Sequence, residues 1–169
     1  MVKRAPSRIE DKMSTLSIGK KAPAFTLQDE KGANIKLSDF AGRWVVLYFY
    51  PKDDTPGCTV EACEFTSGIS GFGKLDAVVL GCSADSPEKH VKFITKHGLK
   101  IKLLSDPDHK VIERYGAWGE KKLYGKTSIG IVRSTVLIDP DGKVAHHWGK
   151  VKAAGHAAEV RAKLAELSH

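Results

Sequence analysis

The sequence predicts an α/β fold in which helices flank a mixed central β-sheet. Two continuous apolar runs, WVVLYFY over 44–50 and AVVLGCS over 77–83, are rich in β-branched and aromatic residues, which is typical of central strands buried on both faces. A segment with helical spacing separates them, so the three elements form a parallel β-α-β unit. The run STVLIDPDGKVAHHW adds an antiparallel hairpin with its turn at Pro140-Asp141-Gly142. Parallel and antiparallel pairs together make the predicted sheet mixed.

The helix between the two central strands is predicted from CTVEACEFTSGISGF, residues 58–72. Its apolar residues Val60, Cys63, Phe65 and Ile69 recur at near-helical spacing. This spacing indicates one helix that connects the strands.

A second helix follows the second central strand. Ser86 is a good N-cap, Pro87 suits the first helical position, and Gly98 ends the helix. Its apolar face is predicted to contain Val91, Phe93 and Ile94. The capping residues therefore set both ends of this helix.

The remaining elements are two further helices. DPDHKVIERYG predicts a short helix that ends at Gly116, and HAAEVRAKLAEL, residues 156–167, predicts an alanine-rich amphipathic helix. The order of all these elements indicates a thioredoxin-like sandwich.

The length and composition fit one folded domain preceded by a short tail. The chain has 169 residues, of which 41% are hydrophobic, and single domains commonly have about 100 to 200 residues. We expect residues 15–169 to form the domain and residues 1–14 to form a basic, flexible N-terminal tail. The reason is that residues 1–21 hold six Lys or Arg against two acidic residues and have little apolar content. Loose contact of this tail with nucleic acid stays open, but a solubilising tail without a partner is the simpler interpretation.

The cysteine content and hydropathy indicate the compartment. Three cysteines are too few for a disulfide scaffold, and the odd number leaves at least one thiol unpaired within the monomer. No segment approaches the roughly 18 apolar residues that a membrane helix needs, and the N-terminus lacks the apolar core of a secretory signal. We therefore expect a soluble, cytoplasmic protein that contacts no membrane.

Cys58 follows Thr55-Pro56-Gly57 directly after a predicted central strand. It should lie in the first helical turn at the carboxyl edge of the sheet, where open α/β folds bind their ligands. Unpaired backbone N–H groups and the helix dipole favour an anion there, so a reactive thiolate is expected. Most free cysteines are small buried hydrophobes, but a helix start is a poor place to bury a thiol for packing.

Cys63 lies five residues after Cys58. In an ideal helix this spacing separates the two Cα atoms by about 8.6 Å, whereas a disulfide rarely spans more than about 7 Å. Either Cys63 is a core residue, or the pair forms a disulfide after the first helical turns unwind. The spacing does not suit a zinc site, because no second ligand pair accompanies it, and it is not the C-x-x-C of thioredoxins.

The stretch PKDDTPGCTVEAC, residues 51–63, resembles the active-site loop of peroxiredoxins. Pro51, Thr55 and Cys58 match the family's P-x3-T-x2-C pattern, and a second cysteine five residues later resembles the bacterioferritin comigratory protein or peroxiredoxin Q subfamily. The likeness runs from about residue 16 to the end of the chain. It implies a thiol-dependent peroxidase that reduces hydrogen peroxide and alkyl hydroperoxides and needs no cofactor and no metal.

The resemblance also implies roles for individual residues. Cys58 would be the peroxidatic cysteine, Thr55 would hydrogen-bond its thiolate and the peroxide, Pro51 would shield the site from water, and Arg133 would hold the thiolate and steer the peroxide. The residues alone leave plainer interpretations open: Arg133 as a solvated charge before a strand, Thr55 as a helix cap, and Pro51 as a strand terminator.

Oxidised Cys58 would carry a sulfenic acid that condenses with a second thiol. The resemblance makes Cys63 the candidate resolving cysteine, provided that the helix start unwinds locally. Cys82 is interpreted as a buried core residue of its strand. Thioredoxin or a similar dithiol would reduce the resulting disulfide, and the enzyme would be a monomer or a weak homodimer.

Two other function classes stay open. A thiol-disulfide oxidoreductase would reduce protein disulfides and would not consume peroxide. A redox-sensing or nucleic-acid-binding module, supported only by the basic tail, would show salt-dependent binding that survives Cys58→Ser.

Overall fold

The computed structural model describes residues 16–168 and has a seven-stranded β-sheet at its centre. These residues form nine strands and five α-helices. In chain order they are β1 (Thr26–Asp29), β2 (Asn34–Lys36), β3 (Trp44–Phe49), α1 (Pro56–Ser67), α2 (Ile69–Lys74), β4 (Ala77–Ser83), α3 (Pro87–His97), β5 (Lys102–Ser105), α4 (Lys110–Arg114), β6 (Trp118–Leu123), β7 (Lys126–Ile131), β8 (Ser134–Ile138), β9 (Val144–Trp148) and α5 (His156–Leu167). A 3-10 turn at Leu37–Phe40 joins β2 to β3.

The strand order of the main sheet is β2-β1-β5-β4-β3-β8-β9. Strand β4 runs parallel to both β3 and β5, whereas β8 is antiparallel to β3 and to β9. The predicted parallel β-α-β unit, the hairpin and the mixed sheet are therefore confirmed. Strands β6 and β7 form a separate antiparallel ribbon.

Helices cover both faces of the sheet, as a sandwich requires. Side chains alternate along β3, so Val46 and Tyr48 face one side, while Val45 and Leu47 face the other. Helices α1, α2, α3 and α5 pack on the face of Tyr48, and α4 packs on the opposite face. The thioredoxin-like sandwich is confirmed.

Helix α3 has the predicted ends. Ser86 is its N-cap and accepts a hydrogen bond from the Lys89 N–H, Pro87 is its first residue, and Gly98 ends it in the left-handed conformation with φ of 61°. Left-handed backbone suits glycine because it has no Cβ. Local sequence thus determines both ends of this helix.

The predicted buried faces of two helices are partly wrong. Val60 and Val91 are 41% and 45% exposed. The buried positions of α1 are instead Cys58, Glu61, Ala62 and Phe65, spaced at three and four residues. One of these is charged, so counting apolar residues alone displaced the predicted face.

The single helix predicted over residues 58–72 is two helices. Gly68, with φ of −92° and ψ of 5°, ends α1 and precedes α2. Glycine has low helix propensity, and the sequence around the break contains two of them, at 68 and 71. The connection between β3 and β4 is therefore bent.

The predicted tail over residues 1–14 lies outside the described residues. Within residues 16–168, no helix is both long and apolar enough to cross a bilayer.

Candidate active site

Cys58 is the third residue of α1 and lies just beyond the carboxyl end of β3. Its side chain is only 1% exposed. A helix start is a poor place to bury a thiol for packing, and the sulfur is nevertheless buried. The burial is not apolar packing alone, because a cation covers the sulfur.

Arg133 supplies this cation. It directly precedes β8, and the register that pairs Phe49 with Ser134 places it beside the start of α1. Its Nη2 donates to Cys58 Sγ at 3.3 Å, and its Nη1 donates to Glu61 Oε1 at 2.6 Å. The side chain is 17% exposed, so the interpretation of Arg133 as a solvated charge is wrong.

A glycine makes room for this guanidinium. A Cβ atom at position 57 would lie 3.1 Å from Nη2 of Arg133, closer than most real contacts of a Cβ. Gly57 therefore permits the close approach of the arginine to the first turn of α1.

Glu61 is a site residue that sequence reasoning missed. It lies three residues after Cys58, on the same face of α1, and is fully buried. Burial raises its pKa to about 7, although Arg133 acts to lower it, and Oε2 has no hydrogen-bond partner among the described residues. Its spacing of three residues from Cys58 was the signal in the sequence, but the partner Arg133 lies on another element.

The guanidinium of Arg133 remains charged between these two groups. Burial acts to lower its pKa, but Cys58 and Glu61 beside it raise the pKa above the ordinary value. A permanent cation therefore bridges the sulfur and a buried carboxyl group.

Thr55 is the N-cap residue of α1, but its side chain makes no capping hydrogen bond. Its hydroxyl donates to the Lys52 carbonyl at 2.9 Å. In this arrangement the hydroxyl oxygen can still accept a hydrogen bond from a ligand. It could donate to the thiolate only after leaving Lys52.

Pro51 and Arg133 line the same surface cavity, whose volume is about 450 Å³. Val132 and Val151 give the cavity an apolar part, and three lysines give it positive charge. One of them, Lys121, has a lowered pKa because of burial and the nearby Arg133. The cavity therefore reaches the cation that contacts the sulfur.

The other two cysteines differ in their relation to Cys58. Cys63 is half-buried in the intact helix α1, and all three thiols are free. Cys82 is fully buried on the opposite face of the sheet, and burial and Asp106 raise its pKa well above the ordinary value. The sheet therefore separates Cys82 from Cys58, whereas Cys63 shares a helix with it.

The described residues contain no convergent set of His, Cys, Asp and Glu side chains of the kind that holds a metal ion.

Comparison with known proteins identifies similar chains. The profile of the AhpC/TSA family matches residues 18–147. The chain is 49% identical over 154 residues to peroxiredoxin Bcp of Bacillus subtilis, covering 91% of this chain and 98% of that protein. It is 46% identical over 144 residues to peroxiredoxin Bcp of Escherichia coli, covering 85% and 92%.

Solved structures give the same likeness. The bacterioferritin comigratory protein of Xanthomonas campestris, studied for its alkyl peroxide reduction activity, superposes with a TM-score of 0.84 at 39% identity, covering 90% of this chain and all of that one. A cysteine-to-serine mutant of Xylella fastidiosa PrxQ gives a TM-score of 0.85 at 37% identity, covering 91% and 98%.

Proposed function

The chain belongs to the AhpC/TSA family and is a thiol-dependent peroxidase, and on this basis we propose that Cys58 is its peroxidatic cysteine. The observation that carries the proposal is the bridge of Arg133 between Cys58 Sγ and Glu61 at the wall of a cavity. Peroxiredoxins act on peroxides with a thiol reductant. Here we assign hydrogen peroxide and alkyl hydroperoxides as the substrates.

The first step is attack of the Cys58 thiolate on one oxygen of the peroxide. The S–O bond forms as the O–O bond breaks, the sulfur is oxidised to a sulfenic acid, and the other oxygen leaves as an alkoxide or hydroxide that takes up a proton. Arg133 stabilises the thiolate and the charge that develops on the oxygens. The Thr55 hydroxyl accepts a hydrogen bond from the peroxide, and Pro51 forms part of the cavity wall that excludes water.

The peroxide has to reach a sulfur that is only 1% exposed. The cavity bounded by Pro51 and Arg133 provides the approach, with Val132 and Val151 as the apolar contacts of an alkyl group. A shift of the Arg133 side chain opens the last step of the path.

The second step is condensation of the sulfenic acid with the Cys63 thiol, which forms a disulfide and releases water. The intact helix holds the two residues too far apart, so the first turns of α1 must unwind. The second half of α1 has attachments to other elements. Glu64 accepts a hydrogen bond from the Gly155 N–H at 2.8 Å, and the rings of Phe65 and Tyr48 stack with their centroids 4.7 Å apart. Unwinding should therefore stop near Cys63.

Thioredoxin or a similar dithiol then reduces the disulfide in our proposal, and the enzyme works in the cytoplasm as a monomer or a weak homodimer. A disulfide formed from an unwound helix is exposed and hence easily reduced. The basic tail that suggested nucleic-acid binding lies outside the described residues, and we do not propose that function.

The roles of the cysteines are tested by one equivalent of hydrogen peroxide, followed by thiol blocking and mass spectrometry. We expect a Cys58–Cys63 disulfide in the wild type, a trapped or overoxidised Cys58 in Cys63→Ser, and no oxidation in Cys58→Ser. Cys82→Ser is the matched control and should behave as the wild type. A disulfide between Cys58 and Cys82 would contradict the assignment of Cys63.

A further inference from the structure

A buried polar cluster lies behind the active-site loop, residues 50–55, where this loop meets α3. His90 of α3 is fully buried. Its Nδ1 lies 2.6 Å from Asp53 Oδ2, and its Nε2 lies 2.9 Å from the carbonyl oxygen of Leu104 on β5. One imidazole therefore links the active-site loop, a helix and a central strand.

The hydrogen-bond partners restrict the protons of this ring. The Leu104 carbonyl can only accept, so Nε2 of His90 carries a hydrogen. A second proton is shared between Nδ1 and Asp53, whichever of the two groups formally holds it. Both ring nitrogens are thus committed, and the ring cannot rotate without losing two hydrogen bonds in the interior.

Asp53 is also fixed through its other polar atoms. The Tyr50 hydroxyl donates to its Oδ1 at 2.6 Å, and its own N–H donates to Asp85 Oδ2 at 2.8 Å. Burial and the Asp53 carboxyl raise the pKa of Tyr50 well above its ordinary value, which keeps this donor protonated. Asp85 in turn accepts from the Ser83 hydroxyl at the end of β4.

Asp53 connects this buried cluster to the active-site loop. Asp53 lies two residues after Pro51 and two residues before Thr55, both of which belong to the proposed site. A fixed point between them determines where the loop turns into α1, and hence where Cys58 stands relative to Arg133.

We propose that His90 is a positioning residue of the peroxidase, which through Asp53 holds the active-site loop in the conformation that presents Cys58 to Arg133 and the peroxide. This rests on the proposed function of Cys58. A packing role alone does not account for the residue type, because burying a polar pair costs more than burying apolar side chains of similar volume. Large apolar side chains, among them Phe93 and Leu103, are buried on the same face of the sheet.

Two substitutions of His90 separate positioning from packing. In His90→Asn the side-chain amide reaches the place of Nδ1 and can still donate to Asp53, whereas in His90→Gln it reaches the place of Nε2 and can donate only to Leu104. Each variant loses one of the two links, and Asn is smaller than Gln by one methylene group, so a packing role alone would disturb His90→Asn more than His90→Gln. The measurement is the second-order rate constant for oxidation of reduced Cys58 by hydrogen peroxide, followed by rapid quench and mass spectrometry.

We expect His90→Gln to oxidise about tenfold more slowly than the wild type, because a displaced loop misaligns the reacting groups, while His90→Asn stays within about threefold. The urea midpoint of His90→Asn should be no higher than that of His90→Gln, so the expected order of the rates is not the order of stability. His97→Gln is the matched control: His97 also lies on α3 and contacts the next loop residue, Asp54, at 2.9 Å, but this contact is exposed. It should oxidise at the wild-type rate.

Equal slowing in His90→Asn and His90→Gln, or a wild-type rate in folded His90→Gln, would overturn the proposal. If the His90 variants do not fold, Asp53→Ala gives the same test, and a wild-type rate in that folded variant overturns it as well. Failure of the proposed function looks different: Cys58→Ser would then still consume peroxide, whatever the His90 variants do.

Discussion

The two ends of the Arg133 guanidinium do different work in the proposed site. Nη2 contacts the sulfur and Nη1 contacts Glu61, so the planar fork holds both partners at once. An ammonium group is a single compact charge and cannot hold both partners in this geometry. The shape of the cation therefore matters as much as its charge.

Arg133→Lys should lower the rate constant for Cys58 oxidation by about 100-fold, because one donor directed at the developing charge is lost. Stopped-flow kinetics with hydrogen peroxide measure the effect. Arg161→Lys, an arginine of α5, is the control and should be silent. A rate within about twofold of the wild type would show that charge alone is sufficient.

The stability of the protein should depend on pH because of Glu61. Its pKa is about 7 in the folded state against 4.5 for the ordinary group, so the folded state holds more protons between these values. The free energy of unfolding should therefore fall as pH rises from about 4.5 to about 7, by up to about 3 kcal/mol from this group. Urea unfolding across this range measures the change.

Glu61→Gln removes the titrating group while keeping an oxygen that can accept from Arg133. Both proteins should also carry Cys58→Ser, so that thiol oxidation does not contribute to the comparison. The Gln variant should show a flatter dependence of stability on pH. Identical slopes in the two proteins would contradict the assignment of this titration to Glu61.

The site residues that the sequence predicted are those that carry a local signature. Cys58, Thr55 and Pro51 stand at fixed spacing after a strand, and this pattern suggested them. Arg133 was suggested by the family resemblance, whereas the residues alone favoured a solvated charge, because its contact with Cys58, 75 residues away, depends on the register of β8 against β3. Glu61 and His90 were missed because a buried charge can be recognised only when its partner from another element is known.

Helix α1 has two halves with different attachments. The second half is tied to α5 through Glu64 and to the sheet through Phe65. The first half is held by the Arg133 bridge and by the active-site loop. This asymmetry permits the local unwinding that the proposed disulfide requires, at less than the free energy of global unfolding.

Gly57→Ala tests this view of the first turn. Alanine favours the folded turn over the unwound chain by about 0.4 to 1 kcal/mol relative to glycine, once the flexible Arg133 side chain has moved away from the added Cβ, which would lie 3.1 Å from Nη2. We expect slower formation of the Cys58–Cys63 disulfide and more overoxidised Cys58 at a given peroxide concentration, both measured by mass spectrometry.

Gly73→Ala is the matched control for Gly57→Ala, since it adds the same methyl group to α2 with no atom within 4 Å. It should leave unchanged the fraction of oxidised Cys58 that forms the disulfide with Cys63 and the fraction that becomes overoxidised. Equal effects of both substitutions would mean that general helix stability, and not the first turn, governs resolution.

The strands and helices that were predicted from the sequence are those with a strong periodic or capping signal. The buried strands β3 and β4 and the capped helix α3 were found, with ends within one residue. Strands β1 and β2 have four and three residues, and the ribbon β6–β7 is largely polar and exposed. Such strands are stabilised by their neighbours, so their own sequence gives little indication of them.

The central sheet separates Cys82 from the other two cysteines. Cys58 and Cys63 lie on the face that carries α1, and Cys82 lies on the other. A disulfide to Cys82 would require the sheet itself to open, whereas one to Cys63 requires only part of a helix. The architecture thus favours an intramolecular pair within α1.

Two features of the surface bear on self-association, the exposed hydrophobic side chains and the edge strands. Among the described residues, the exposed large hydrophobic side chains are dispersed along the chain: Ile18, Val60, Val91, Tyr124, Ile129 and Leu167. The edge strand β2 has only three residues, and lysines are frequent in the ribbon β6–β7. Short edges and lysines both discourage pairing between sheets of two chains.

We therefore expect a monomer at low micromolar concentration, because a stable dimer needs about 800 Å² of complementary surface from each partner. The net charge of +7 adds repulsion between copies that weakens as salt rises. Sedimentation velocity of the reduced protein at low and high salt measures the state. A dimer that persists at low micromolar concentration would contradict this prediction, and loss of that dimer in Tyr124→Ser would place its interface on the β6–β7 ribbon.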